Sequence, residues 1–227
     1  HLSVLRDAAV SHAWQALTAA ARPDAVALVQ DDVTCTYAEL VQRTDARLAE
    51  LALDRRSIVV LHGVTGIEHV VTYLALLRGG HVPLLAGERH EALTERWAPA
   101  AVVAARHGSI QIDHREAPVH DLHPDLALLL STSGSTGSPK LVRLSHRNLA
   151  SNATAIAEML DLRDSDRGIT SLPLHYCYGL SVLHSHLVAG ASVVLTPASV
   201  VDPCFRAAMH RHGVTNVAGV PHTFELL

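Results

Sequence analysis

Apolar positions along this chain follow two alternating patterns. Short apolar runs without a polar face read as strands buried on both sides, over residues 57–62, 81–85, 100–104, 125–131, 168–172 and 191–196. Between them, apolar residues recur every three or four positions and predict helices over 66–78, 88–97, 145–160, 178–189 and 201–212. A first helix is predicted over 5–21, stopped by Arg22-Pro23-Asp24. Residues 25–30 and the stretch around Val33 then read as a hairpin across Asp31-Asp32. Thr36 starts another helix, with Tyr37, Leu40, Val41, Thr44 and Leu48 on one face. Thr36 and Glu39 have the spacing of a capping box. Residues 106–124 show no clear period and read as a strand plus a loop. Further strands are predicted over 141–144 and 215–218, the latter leading into a last, partial helix. No fixed-period repeat or low-complexity tract interrupts this rhythm. The alternation predicts an α/β fold of mostly parallel sheets flanked by helices.

Composition narrows the function classes. The 227 residues are 48% hydrophobic but only 4% aromatic, so the core must rest on Leu, Val and Ala. Net charge is −4, and Lys and Arg are scattered, Arg55-Arg56 being the one adjacent pair. That leaves no basic stripe for nucleic acid and no basic amphipathic helix for a membrane surface. No apolar run approaches the ~20 residues of a membrane span. Three cysteines, odd in number and widely spread, argue against a disulfide framework and fit a reducing cytoplasm. The closest histidine pairs, His184/His186 and His210/His212, have no Cys or carboxylate at ligand spacing, so no metal site is expected there. The chain begins with His1 rather than Met and ends inside a helical pattern, so both ends read as cuts.

The richest segment is Leu130-Ser131-Thr132-Ser133-Gly134-Ser135-Thr136-Gly137-Ser138-Pro139-Lys140, directly after a buried strand. Glycines let a backbone approach a ligand closely, and successive inward N–H groups make an anion-binding nest. Hydrogen bonds to a charged phosphate contribute about 1.5–3 kcal/mol each. Three or four of them outweigh one exposed ammonium, worth about 1 kcal/mol. The backbone of this loop, more than Lys140, is therefore expected to grip an anion. A plain Ser/Gly linker has the same composition. A Walker loop does not fit: Gly134 and Gly137 are three apart, Pro139 precedes Lys140, and a strand rather than a helix follows.

Read with Leu144-Ser145-His146 and Asn148-Leu149, the run from Thr132 to Lys140 resembles the phosphate-binding signature of adenylate-forming enzymes. That superfamily includes acyl- and aryl-CoA synthetases, luciferases and peptide-synthetase adenylation domains. Leu141 departs from the usual Gly after the Lys but leaves the donors in place. Shorter resemblances follow in family order: Thr36 to Leu40, Leu74 to Leu84, Leu172 to Leu180, and Gly219-Val220-Pro221. The first two are expected to do structural work. The third is the substrate-side motif, and without gaps Tyr176 takes its gating position, with His175 one residue early. His175 is as compatible with a packed, hydrogen-bonded role as with a catalytic one. Tyr178 and Gly179 are expected to line the acid pocket.

The resemblance implies ATP with its phosphates bound by Thr132, Ser133, Gly134, Ser135, Thr136, Gly137 and Lys140, and Mg²⁺ bridging the phosphates. A carboxylic acid becomes an acyl-adenylate, and the acyl group then passes to CoA or to the phosphopantetheine of a carrier protein. Amino-acid-activating relatives place an Asp in the substrate-side segment, but no acidic residue lies between Thr170 and Thr196. A buried ammonium without a counter-charge is costly, so an α-amino acid is disfavoured. The adenine-binding aromatic segment, ribose-binding Asp, Mg²⁺-holding Glu and catalytic Lys are all expected beyond Leu227. Residues 1–227 thus read as a partial N-terminal domain without its C-terminal lid. Two other readings remain: a degenerate member acting as a nucleotide sensor or docking module, and a phosphatase or kinase with a similar loop. The last would need an acidic metal constellation, and the loop offers none in sequence.

Overall fold

The computed structural model describes residues 12–87, 90–131 and 140–226. In chain order the elements are α1 (His12–Thr18), β1 (Val26–Gln30), β2 (Val33–Thr36), α2 (Tyr37–Leu51), β3 (Ile58–Gly63), α3 (Ile67–Arg78), β4 (Val82–Leu85), α4 (Glu91–Trp97) and β5 (Ala101–Arg106). Then come β6 (Ser109–His114), β7 (Leu126–Ser131), β8 (Leu141–Ser145), α5 (His146–Met159), β9 (Arg167–Ile169), α6 (Cys177–Val188), β10 (Ser192–Val194), α7 (Pro203–His212) and α8 (Pro221–Leu226). The strands form two sheets, β2-β1-β10-β9 and β6-β5-β3-β4-β7-β8. Pairing is parallel except at β2, β6 and β8, the edge strands that turn back on a neighbour. Both predicted features, parallel sheets and flanking helices, are present.

Side-chain alternation divides each sheet between two cores. In the larger sheet Val59, Leu61, Val103 and Leu128 face inward, while Ile58, Val60, Val102 and Leu129 face outward. In the smaller one, Leu28 and Val193 point to the central core, and Val29 and Val194 to an outer one under Phe205 of α7. Helices α1, α2, α3, α5 and α6 share the central core with both sheets, and α4 covers the outer face of the larger sheet. Helix α3 lies deepest, buried from Ile67 through Leu77 except at Glu68. This explains its nearly continuous apolar sequence. Among the described residues no helix is long and apolar enough to cross a membrane.

Local signals match their positions. The Thr36 hydroxyl accepts from the Glu39 amide at 3.2 Å, and the Thr36 amide donates to the Glu39 carboxylate at 2.7 Å, completing the expected capping box. A second box, Ser145 with Asn148, starts α5. Asp31 takes φ +50° in the turn between β1 and β2. The region without clear period contains β6, a short edge strand paired with β5.

One expected strand is absent: residues 215–218 form no ladder. Thr215 donates its amide to the Arg167 carbonyl, but its hydroxyl rather than a carbonyl receives the Arg167 amide, at 2.9 Å. Side chains also hold the rest of the segment. His186 Nε2 meets Asn216 Oδ1 at 2.9 Å, the Ser171 hydroxyl donates to Ala218 O at 2.5 Å, and the Tyr178 hydroxyl donates to Gly219 O at 3.1 Å.

Arg56 fastens the entry to β7. Its guanidinium donates to the carbonyls of Gly80, Leu122, His123, Pro124 and Leu126 at 2.6–3.3 Å. Lysine cannot span this fan with one ammonium. Arg56→Lys is expected to lower stability by about 2–3 kcal/mol, the scale of one or two charge-assisted bonds. A urea midpoint unchanged from the unsubstituted chain would contradict this role.

Candidate functional site

Ligands of open parallel sheets bind outside the carboxyl ends of the strands. Here β3, β4, β5 and β7 end side by side, with Leu61 paired to Leu85 and Leu85 to Leu130. Gly63 closes β3 at φ +116°, and a Cβ there would lie 2.0 Å from the Ala105 carbonyl oxygen. Glycine thus lets the ends of β3 and β5 lie together. The smaller sheet turns the ends of β9 and β10 toward the same place. A cleft of about 690 Å³ lies between them, with His62, Arg106, Thr170, Ser171, His175 and Thr196 in its walls.

No carboxylate lines this cleft among the described residues. One guanidinium, two imidazoles and five hydroxyl side chains do. That donor-rich, acid-free lining suits an anionic ligand. His175 is half-buried; its ring lies against Gly87, where an added Cβ would be 3.3 Å from Nε2, and meets the Tyr176 ring at 4.4 Å between centroids. Burial lowers its pKa, keeping the imidazole neutral near pH 7. His62 packs on His90 at 3.8 Å; burial lowers its pKa, His90 adds to that, and Glu91 opposes it. His69, fully interior on α3, is pushed to about 4 by burial and lies within electrostatic reach of His175 and His62. Sequence spacing paired other histidines. These four come from four separate stretches of the chain, His62 from β3, His69 from α3, and His90 and His175 from loops before α4 and α6, and no local signal links them. Among the described residues no group of three or more His, Cys, Asp or Glu is placed to hold a metal.

The phosphate-loop candidates Thr132, Ser133, Gly134, Ser135, Thr136 and Gly137 lie outside the described residues. Their roots are described: Ser131 ends β7, pairs with Leu141 of β8, and sits on the strand next to β4. The loop therefore leaves the sheet at the carboxyl end that bounds the cleft. Lys140 is exposed and stands at one end of a larger, open groove of about 1010 Å³. That groove runs over the outer face between α4 and β8 toward Asp125 and Asn148, away from the converging strand ends.

Of the substrate-side candidates, His175 lines the cleft. Tyr176 and Tyr178 are exposed beside it, Tyr176 at the extended residue that precedes α6. Gly179 is buried; a Cβ there would lie 2.5 Å from the Pro173 carbonyl oxygen, so it lets α6 pack onto the turn before it. Tyr37 is buried, with its hydroxyl on the Ala191 carbonyl at 2.6 Å, a structural tie between α2 and the start of β10.

The profile described as "AMP-binding enzyme" matches residues 88–227. Pyochelin synthase PchD of Pseudomonas aeruginosa (strain UCBPP-PA14) is 29% identical over 251 residues, covering 91% of this chain and 46% of that protein. The sulfoacetate–CoA ligase of Cupriavidus necator is 40% identical over 107 residues, 46% of this chain and 21% of that protein. Among solved structures, apo MbtA of Mycobacterium smegmatis superposes with TM-score 0.78 at 28% identity, over 94% of this chain and 49% of its own. ATP-bound MatB of Rhodopseudomonas palustris gives 0.76 at 24% identity over 95% of this chain and 50% of its own, a likeness of fold alone. The chain thus spans about half the length of PchD and of these two structures. With the profile covering more than half its residues, the chain belongs to the AMP-binding enzyme family of adenylate-forming ligases.

Proposed function

We propose that this chain is the N-terminal, phosphate-binding part of a longer ligase that activates a carboxylic acid with ATP and passes the acyl group to a thiol. The carboxylate attacks the α-phosphorus, the bond to the β-phosphate oxygen breaks, and pyrophosphate leaves. The thiol of CoA or of a carrier protein's phosphopantetheine then attacks the acyl carbonyl, and AMP leaves. Such displacements ask a protein mainly for positioning and for neutralising charge as it develops.

One observation carries the reading. The Thr132–Lys140 motif is rooted at the carboxyl end of β7, on the side of the sheet where the acid-free cleft opens. The residues between Thr170 and Thr196 include no acid, which favours an acyl or aryl acid over an α-amino acid. Mg²⁺, when bound, would screen the phosphates. Among the described residues no group of three or more His, Cys, Asp or Glu is placed to hold a metal, and in this reading the Glu that holds Mg²⁺ is the one the family resemblance puts beyond Leu227.

ATP–pyrophosphate exchange in the longer protein, across a panel of carboxylic acids, tests the reading. Exchange with at least one simple acid is expected, and none with any acid would instead favour a non-catalytic nucleotide-binding module. Residues 1–227 alone are expected to bind ATP weakly and to form no acyl-adenylate. Product detected by mass spectrometry from the purified chain would contradict that.

A further inference from the structure

We infer that Tyr178 is a positioning residue: its hydroxyl, together with that of Ser171, clamps two successive carbonyls and fixes the cleft wall formed by residues 171–175. This rests on the function proposed above and assigns Tyr178 a task different from lining the acid pocket.

The wall needs such a clamp because regular pairing stops short of it. Strand β9 ends at Ile169, and Thr170 makes the last backbone bond to the neighbouring strand, to Val194. Beyond that point the chain passes through Ser171, Leu172, Pro173 and His175, all in the cleft wall, before α6 begins. The segment behind it, residues 215–219, also has no strand ladder: the Thr215 and Asn216 amides reach the Arg167 carbonyl, and beyond them side chains hold residues 216–219. Two of those tethers act on adjacent residues: Ser171 holds Ala218 O at 2.5 Å and Tyr178 holds Gly219 O at 3.1 Å. Gly179, packed on the Leu172 and Pro173 carbonyls, sets the first turn of α6 so that Tyr178 reaches across. Wall and segment therefore hold each other in place. The Tyr178 ring is 39% exposed and takes no part in the cleft lining, so its bonded end is the hydroxyl.

Two substitutions separate positioning from lining. Tyr178→Phe keeps the ring and removes the donor; Tyr178→Ala removes both. Exchange assays in the longer protein should show Y178F raising the acid's KM about three- to ten-fold, the scale of one hydrogen bond. The KM for ATP should stay within about two-fold, because the phosphate loop springs from the other sheet, and Y178A should add little. In residues 1–227 alone, amide hydrogen exchange over 216–220 should quicken by a similar factor in Y178F. Exchange kinetics in which Y178F matches the unsubstituted protein while Y178A fails would return Tyr178 to the pocket wall and overturn the inference. An equal rise in both KM values would reduce it to general stability and overturn it too. Absence of acid-dependent exchange in the unsubstituted protein would sink the proposed function and this inference with it.

Discussion

Gly137→Val is expected to abolish acid-dependent ATP–pyrophosphate exchange in the longer protein while leaving thermal unfolding of this chain unchanged. In the proposed reading, a branched side chain at Gly137 would fill the space where phosphate oxygens meet backbone amides. Losing two charge-assisted bonds costs about 3–6 kcal/mol, a fall of about 10²- to 10⁴-fold. The fold should not notice, because β7 and β8 pair on both sides of the loop, from Ser131 with Leu141 down to Leu126 with Ser145. Lys140→Ala offers the contrast. Lys140 is exposed, and one screened surface ammonium contributes about 1 kcal/mol, so its loss should reduce exchange less than ten-fold. Exchange untouched by G137V, or a larger loss from K140A, would mean that the phosphate grip lies elsewhere.

Acid should begin to destabilise the chain before its carboxylates titrate. Burial pushes His69, His81 and His184 down to a pKa of about 4. His184 is held neutral against the Tyr73 hydroxyl at 2.9 Å, and His81 Nδ1 has no hydrogen-bond partner among the described residues. In the unfolded chain each would titrate near 6.5. Between about pH 6.5 and 4 the unfolded chain therefore takes up protons that the folded one refuses. Stability is complete above that window, falls as pH drops through it, and levels off below it. Each histidine removes on the order of 3 kcal/mol by pH 4, and three together rival the 5–15 kcal/mol that holds a typical domain folded. Circular dichroism should show cooperative loss of helix between about pH 6 and 4. An unfolding free energy that stays flat from pH 7 to 4.5 would contradict the burial of these rings.

Legibility in the sequence followed the range of the interactions. Buried strands such as β3 and β4 are visible as unbroken apolar runs because both faces meet helices, and Thr36 with Glu39 announces the start of α2 within four residues. The phosphate motif is equally local. Strand β6 is faint because it pairs only at an edge and exposes most of its residues. Residues 215–218 have strand composition, but their Thr215 hydroxyl takes the place of a ladder carbonyl. The cleft is the least legible part. Its walls join His62, Arg106, Ser171 and Thr196 from both sheets, and the Tyr178 hydroxyl finds its carbonyl 41 residues away. The parallel crossovers that bring such residues together leave no trace in neighbouring positions.

Titrating isotopically labelled residues 1–227 with MgATP and following backbone amides by NMR tests the central claim most directly. The amides of Thr132 through Gly137 should shift first and saturate together, with Ser131 and Leu141 following as the roots of the loop. If they stay fixed while a different set of amides moves with nucleotide, the polyphosphate is held elsewhere and the assignment of this turn is wrong.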